Sequence, residues 1–411
     1  MRVLLVTNTF PPGYTGGAEV ANHHTVKGLL ERGVECSILV LRNREPVSAD
    51  EWYIFDDVPV HRFHTRPFVA RNAITDVFDW RMYNAMCSEI SCLKPDIVHI
   101  TNVSGSTLAP YLACRAKKTP VVNTLHDLWL LCPNNMLYRQ DGSFCRPNGN
   151  RGGCRQCLRR YDYWGAIPAR QKVFAKMTSN VRYFISPSQA LIDRHLEAGY
   201  DRNRFRLVRY GVGPDIAIEN SDPVVQEIFD TRSKFKTIVF GGGGIEIKGS
   251  QVVRRAIPLL LDRIAGLRII IAGGGDLLDE FRGLGEAVRV LGKVPFQCMR
   301  QLFAAADLVL LPSVWHENLP VVIFESHQSG TPIVGSNFGG IPEIVEHEKT
   351  GYLFSTGNEG ELAECVVKHF SRPTLERRRM RQECYRNATE NLTFERHING
   401  IQQVYGEALT I

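Results

Sequence analysis

No stretch of this 411-residue chain carries the roughly 18–20 consecutive apolar residues that a membrane-spanning helix requires. A helical membrane protein is therefore not expected. The N-terminus, Met1-Arg2-Val3-Leu4-Leu5-Val6-Thr7, reads as a strand and lacks both the apolar length and the small-residue cleavage site of a secretory signal. With eleven cysteines and no export signal, a cytoplasmic chain with reduced thiols is the expectation. No repeat of solenoid length and no low-complexity tract occurs, which argues against stacked-repeat and disordered classes. No Asp-x-Asp pair occurs either, so a divalent cation chelated by closely spaced aspartates is not expected. What remains is ordinary for a globular protein, at 44% hydrophobic and 22% charged residues, and long enough for two to three domains.

Strand-like and helix-like stretches alternate from the first residue, the pattern of parallel α/β architecture. Strands are expected near 3–7, 36–41, 58–63, 96–100, 120–124, 182–185 and 205–208, with a first helix over about 18–31. A polar joint over 222–236 reads as an interdomain linker. A second alternating run follows, with strands near 237–240, 268–272, 288–291, 308–311 and 333–335, and helices near 374–387 and 394–409. The fold class is α/β, with two Rossmann-like doubly wound domains facing a central cleft. The expected boundaries are 1–215, 216–390, and a C-terminal helix over 391–411 packing back on the first domain. Ligands bind at the carboxyl ends of strands in such sheets.

The most informative stretch runs from Leu311 to Val345. Glu317 lies in a loop after an apolar strand, and Glu325 lies within a helical run expected to start near Leu319. Pro320 falls in the first turn, where its missing N–H costs nothing. The backbone donors of Asn318, Leu319 and Val321 then sit at a helix N-terminus, a natural anion site. Two acceptors flanking such a terminus fit a phosphorylated sugar or a nucleotide; an ordinary polar helix end is the plainer alternative.

Glu317-x7-Glu325, then Ser329-Gly330-Thr331-Pro332-Ile333-Val334, then Gly339-Gly340-Ile341-Pro342-Glu343-Ile344-Val345, resembles the donor-site signature of family 4 retaining glycosyltransferases of the B-type fold. The resemblance implies that Glu317 contacts the donor-sugar hydroxyls and that Glu325 holds the ribose. Gly16-Gly17, opening the first helix, resembles the family's N-terminal glycine loop, which reaches toward the donor phosphates or the acceptor. His126 ends an apolar strand and is similar to the histidine that the family sets against the donor sugar; Asp127 would orient its ring or cap a helix. Gly242, Gly243 and Lys248 fall in a glycine loop that resembles the phosphate-binding segment, with Lys248 neutralising the diphosphate. The family usually carries an arginine five residues before that lysine, and this chain has Gly243 there. Val294 sits where the family lines the nucleobase with main chain.

Cys132, Cys145, Cys154 and Cys157 gather within 26 residues. A structural zinc held by four thiolates is one reading; free thiols and redox-labile pairs are the others. Charge is uneven: residues 1–211 hold 28 Lys/Arg against 18 Asp/Glu, and residues 212–411 hold 21 against 25. The excess lies in Arg139–Arg209, where 15 basic residues face 5 acidic ones. Such a segment attracts phosphate-bearing or anionic-surface partners, or is simply a solvated face.

Together these features point to transfer of a hexosyl unit from a nucleotide diphosphate sugar to a hydroxyl acceptor (a glycan, a lipid-linked sugar or a natural product), with retention and without a catalytic metal or other cofactor. The acceptor is expected to be phosphate-bearing or lipid-linked, with peripheral contact at the inner membrane face through the basic N-terminal domain. A nucleotide-sugar epimerase or a phosphorylase shares the architecture and is the alternative; epimerised donor or phosphate dependence would reveal it. A zinc-stabilised nucleic-acid-binding protein is the more distant one. It leaves the 311–345 motifs without a role, so no nucleic acid is expected.

Overall fold

The computed structural model describes residues 1–12, 17–41, 49–63, 77–101, 103, 107–139, 142–145, 157, 167–211 and 222–410, with no side-chain description at 167–169, 296 and 297. Two compact units emerge. The first comprises Met1–Tyr210 with Glu395–Ile411, and the second Gly211–Phe394.

The first unit is built on β1 (Arg2–Thr7), α1 (Gly17–Leu30), β2 (Glu35–Val40), β3 (Glu51–Phe55) and β4 (Val58–Arg62). It continues through α2 (Trp80–Leu93), β5 (Ile97–Ile100), α3 (Ala109–Lys117), β6 (Val121–Thr124), α4 (Ile167–Met177), β7 (Val181–Ser186), α5 (Gln189–Glu197) and β8 (Phe205–Leu207). The strands order as β3-β4-β2-β1-β5-β6-β7-β8. All neighbours are parallel except the β3–β4 hairpin at the edge. Central strands are buried on both faces, which is why β1 and β5 read as continuous apolar runs. Order reverses between β1 and β5, the switch point beside which ligands bind in doubly wound sheets.

Strand β3 was not expected. Its turn is Asp56-Asp57, both at positive φ (46° and 64°), the conformation that a two-residue hairpin needs but that Asn-Gly would signal more plainly. Its run Trp52-Tyr53-Ile54-Phe55 is apolar and aromatic, yet Trp52 and Ile54 are exposed, as suits a strand at the sheet edge.

The second unit contains α6 (Pro223–Asp230), β9 (Lys236–Phe240), α7 (Ser250–Arg263), β10 (Leu267–Ala272), β11 (Val288–Gly292), α8 (Phe296–Ala304) and β12 (Leu308–Leu311). Next come α9 (Val321–Gln328), β13 (Ile333–Ser336), β14 (Gly351–Phe354), α10 (Glu359–Ser371) and α11 (Thr374–Arg386). Strand order is β11-β10-β9-β12-β13-β14, entirely parallel, with its switch between β9 and β12. The last helix, α12 (Phe394–Leu409), buries His397, Ile398, Ile401, Val404, Tyr405 and Ala408. Its Tyr405 hydroxyl lies 2.7 Å from His99 Nδ1 on β5, and His397 Nε2 lies 2.8 Å from Thr25 Oγ1 on α1. Among the described residues, no helix is long and apolar enough to cross a membrane.

The polar joint expected over 222–236 is not a linker. Asp222 caps α6 by accepting from the N–H groups of Val224 and Val225. Buried Arg268 on β10 then ties this helix to the sheet. Its guanidinium donates to Thr237 Oγ1 on β9, to Thr231 Oγ1 at 2.7 Å and to the Ile228 carbonyl at 3.0 Å. The helix is held both by these hydrogen bonds to one buried cation and by the buried Val225 and Ile228. Arg268→Ala would leave these acceptors unpaired and should lower stability by about 2–4 kcal/mol. The measurement is a urea titration; an unchanged midpoint would show that α6 is held by other contacts.

Candidate functional site

In the second unit, the loops after β9 and β12 approach each other backbone to backbone. β9 ends at Phe240, and Gly241–Gly244 lead into a short turn over Glu246–Lys248. Gly249, at φ 86°, opens α7; a Cβ there would stand 2.0 Å from the Pro312 carbonyl oxygen. Only glycine satisfies both conditions. Val314 N–H donates to the Ile247 carbonyl at 3.0 Å, fixing the two loops in register.

This approach brings the Lys248 ammonium to Glu317. Nζ donates to Oε1 at 2.6 Å, and the same oxygen accepts from Ser313 Oγ at 2.8 Å. The Lys248 ammonium also lies 5.2 Å from the centre of the Trp315 ring. Glu317 is buried at 6% exposure while Lys248 remains a third exposed. The pair is thus open on the cation's side. The Gly339-Gly340 block has a local cause here: Gly339 sits at φ 60°, a Cβ there would lie 2.5 Å from the Glu317 carbonyl oxygen, and Gly340 N–H donates to that oxygen at 3.0 Å. The glycines hold the Glu317 backbone in place.

Helix α9 starts at Val321, two residues later than expected. Pro320 is its N-cap in extended conformation (φ −65°, ψ 123°), and no side chain caps it. Asn318 and Leu319 belong to the preceding loop, because the Pro320 ring blocks helical geometry in the residue before it. The first-turn donors without an intrahelical acceptor are those of Val321 and Val322. Further along, Glu325 Oε1 is buried without a hydrogen-bond partner. Burial pushes its pKa up to about 7 from 4.5, with the Arg300 guanidinium opposing.

In the first unit, the imidazole of His126 is engaged on both sides. Asn22 Nδ2 donates to Thr101 Oγ1 at 3.0 Å, which turns its Oδ1 toward His126 Nε2, also at 3.0 Å. That assigns the proton to Nε2, and Nδ1 accepts from the Tyr210 hydroxyl at 2.7 Å. Burial, with His397 adding to it, holds the ring neutral with a pKa near 3. To bond a ligand, His126 must exchange one of these partners. Asp127 accepts from the Trp129 N–H at 2.8 Å, the capping alternative. Gly17 begins α1, whose buried Glu19 accepts from Thr9 Oγ1 at 2.6 Å; Gly16 lies outside the described residues. Sequence reasoning missed Ser313, Asn22 and Tyr210 as partners, since nothing in their local pattern marks them.

Gly242 packs against the Phe240 ring and the Lys248 stem, leaving no space for a Cβ. Val294 follows β11 in the loop before α8. Of the clustered cysteines, Cys132, Cys145 and Cys157 are half-buried and free, and Cys154 lies outside the described residues. Burial raises the Cys145 thiol pKa, Arg139 opposes, and Cys132 and Cys157 add to the rise, so the three are electrostatic neighbours. Among the described residues, no group of three or more His, Cys, Asp or Glu is arranged to hold a metal.

Residues 15–216 match the family described as Glycosyltransferase Family 4, and residues 235–372 match Glycosyl transferases group 1. An uncharacterised glycosyltransferase of Methanocaldococcus jannaschii is 25% identical over 88% of this chain and 87% of its own length. A D-inositol 3-phosphate glycosyltransferase of Corynebacterium jeikeium is 32% identical over 39% of this chain and 40% of its own. Among solved structures, Anabaena HepE in complex with UDP aligns with a TM-score of 0.72 at 18% identity, covering 99% of this chain and 100% of that one.

The raised Glu325 pKa has a measurable consequence. Its folded value, near 7, lies above the ordinary 4.5, so the folded state favours the protonated form. The resulting stability is fully present below about pH 4.5 and lost as pH rises through 7, by about 3 kcal/mol. Glu325→Gln should abolish that dependence, so the variant gains on wild type between pH 5 and 8 in denaturant titrations. Parallel pH–stability curves would show that Glu325 is not desolvated.

Proposed function

The chain belongs to the family 4 glycosyltransferases of the B-type, two-Rossmann-domain fold, and from that premise we propose that it moves a hexosyl unit from a nucleoside diphosphate sugar to a hydroxyl acceptor with retention of anomeric configuration. The observation that carries this reading is the 2.6 Å Lys248–Glu317 pair beside the α9 N-terminus, with the unpartnered Oε1 of Glu325 eight residues on. A nucleoside diphosphate has a group for each feature. Its ribose hydroxyls suit the buried acceptor of Glu325, and its phosphates suit Lys248 and the free N–H groups of Val321 and Val322. The donor sugar's hydroxyls suit Glu317.

The barrier lies in separating a glycosyl cation-like fragment from the diphosphate. Fixed donors aimed at the leaving oxygens stabilise that charge without reorganisation during the reaction. Lys248 and the α9 terminus do this work; Gly339 and Gly249 keep their backbones at the required approach. His126, neutral and donating from Nε2, would exchange its Asn22 bond for a sugar hydroxyl. No side chain is assigned as nucleophile. The acceptor hydroxyl attacks from the face the diphosphate leaves and passes its proton to the departing phosphate oxygen as the sugar–diphosphate bond breaks.

Because Glu317 holds Lys248, the two carboxylates should separate in a binding experiment. Glu325→Ala should weaken nucleoside diphosphate binding about tenfold or more, the size of a hydrogen bond to a charged group. Glu317→Ala frees the lysine, so it should leave that binding intact or tighter while lowering turnover. Calorimetry that finds both variants binding like wild type would overturn the ribose assignment.

The acceptor reading rests on the basic stretch over Arg139–Arg209, and a relative whose name specifies inositol 3-phosphate supports a phosphate-bearing acceptor. A lipid-linked phosphate would place the enzyme peripherally on the inner membrane face, each nearby cation adding about 1 kcal/mol of attraction. Cosedimentation with anionic liposomes should then fall steeply between low and physiological salt. Equal, negligible binding to anionic and neutral liposomes would leave a water-soluble acceptor.

A further inference from the structure

Position 243, where the resemblance would place an arginine, cannot carry a side chain. Gly243 stands at φ 54°, and a Cβ there would lie 2.4 Å from the Gly274 carbonyl oxygen and 2.6 Å from the Gly273 carbonyl carbon. The loop Gly241–Gly244 is joined to a second glycine run, Gly273-Gly274-Gly275, by main chain alone. Gly244 N–H donates to the Gly274 carbonyl and Leu277 N–H to the Gly244 carbonyl, both at 3.0 Å. A Cβ on Gly275 would stand 2.5 Å from the Gly244 carbonyl carbon. The junction excludes side chains from both partners.

A cation reaches the same junction from a third loop. Lys293 follows β11, where the Gly292 carbonyl accepts from Gly273 N–H at 2.6 Å. Its stem lies across the bare Cα of Gly274: the Cε is 3.2 Å and the Cγ 3.6 Å from where a Cβ on Gly274 would be. Gly274 is thus the residue that both blocks a side chain at 243 and makes room for the lysine. Lys293 is exposed, and among the described residues it makes no hydrogen bond or ion pair. Lys248 is held by Glu317, and Arg300 is coupled to Glu325. Lys293 is the cation at this junction with its charge uncommitted.

We propose that Lys293 supplies the second positive charge on the diphosphate of the bound nucleotide, in place of the side chain that Gly243 cannot carry. This rests on the nucleoside diphosphate sugar reading above. An ammonium delivered over a glycine by a flexible stem acts as a point charge on phosphate oxygens without a fixed fork geometry.

The experiment titrates wild type, Lys293→Gln and Lys293→Arg with UDP, GDP and ADP, and with the monophosphates of the same bases, using Glu325→Ala as a control. For whichever base binds, Lys293→Gln should weaken the diphosphate about tenfold and the monophosphate less than twofold, and Lys293→Arg should retain most of the affinity. Equal losses on diphosphate and monophosphate would place Lys293 away from the terminal phosphate, on the α-phosphate or the nucleoside, and overturn the proposal, as would no loss on either. If wild type binds none of the three diphosphates, the underlying nucleotide reading fails instead; if Glu325→Ala leaves binding unchanged, the ribose assignment alone fails. Gly243→Arg is the converse test. Here it should lower the folding midpoint without tightening the diphosphate, and a folded variant with tighter binding would overturn the account of the junction.

Discussion

Main chain meeting main chain at the carboxyl ends of the second sheet is the constraint on which the site depends. Gly243 against Gly274, Gly249 against Pro312 and Gly339 against Glu317 are each too close for a Cβ. These approaches set where Lys248 and Glu317 meet, at 2.6 Å. A methyl group at any of them would push loops apart and lengthen that contact. Polar chemistry here is therefore positioned by the absence of side chains, which gives rigidity at the cost of conformational entropy in the unfolded chain.

Charge is distributed on the same logic. Glu317 is buried and shares its Oε1 between Lys248 and Ser313, so its negative charge is compensated before any ligand arrives. Glu325 is not compensated in this way, and burial raises its pKa to about 7. One carboxylate holds a cation in place, and the other keeps a buried oxygen without a hydrogen-bond partner. Perturbed groups such as Glu325 concentrate at functional sites, and Glu325 lies on the helix that follows the Glu317 loop. His126 shows a third arrangement: a neutral ring with its tautomer set by Asn22 and Tyr210.

Much of this was legible in the chain. Apolar runs marked every strand but one edge strand of each sheet, β3 and β14, because buried parallel strands such as Leu267–Ala272 need every residue apolar or paired. The Glu317 and Glu325 spacing and the glycine blocks marked the candidate site, and the close backbone approaches at Gly249 and Gly339 account for those glycines. What stayed hidden has physical reasons too. Helix α6 is fastened by Arg268, a buried cation that looks like a surface residue. The α9 start shifted because Pro320 caps rather than enters the helix. Partners far apart in sequence, such as Asn22 and Tyr210 with His126, become visible only once the sheet brings them together. The substitution at Gly243 read as a missing charge, whereas the second glycine run shows it to be a packing requirement.

The central claim is that the second unit's site cleaves a nucleoside diphosphate sugar and passes the sugar to a hydroxyl. The most direct measurement is NMR of the anomeric centre during turnover, with UDP-, GDP- and ADP-hexoses offered alongside inositol 3-phosphate and neutral polyol acceptors. The account predicts a new glycosidic signal with the donor's anomeric configuration, appearing together with one equivalent of released nucleoside diphosphate. An epimerised donor with no acceptor product, or a sugar phosphate formed at the expense of inorganic phosphate, would contradict it.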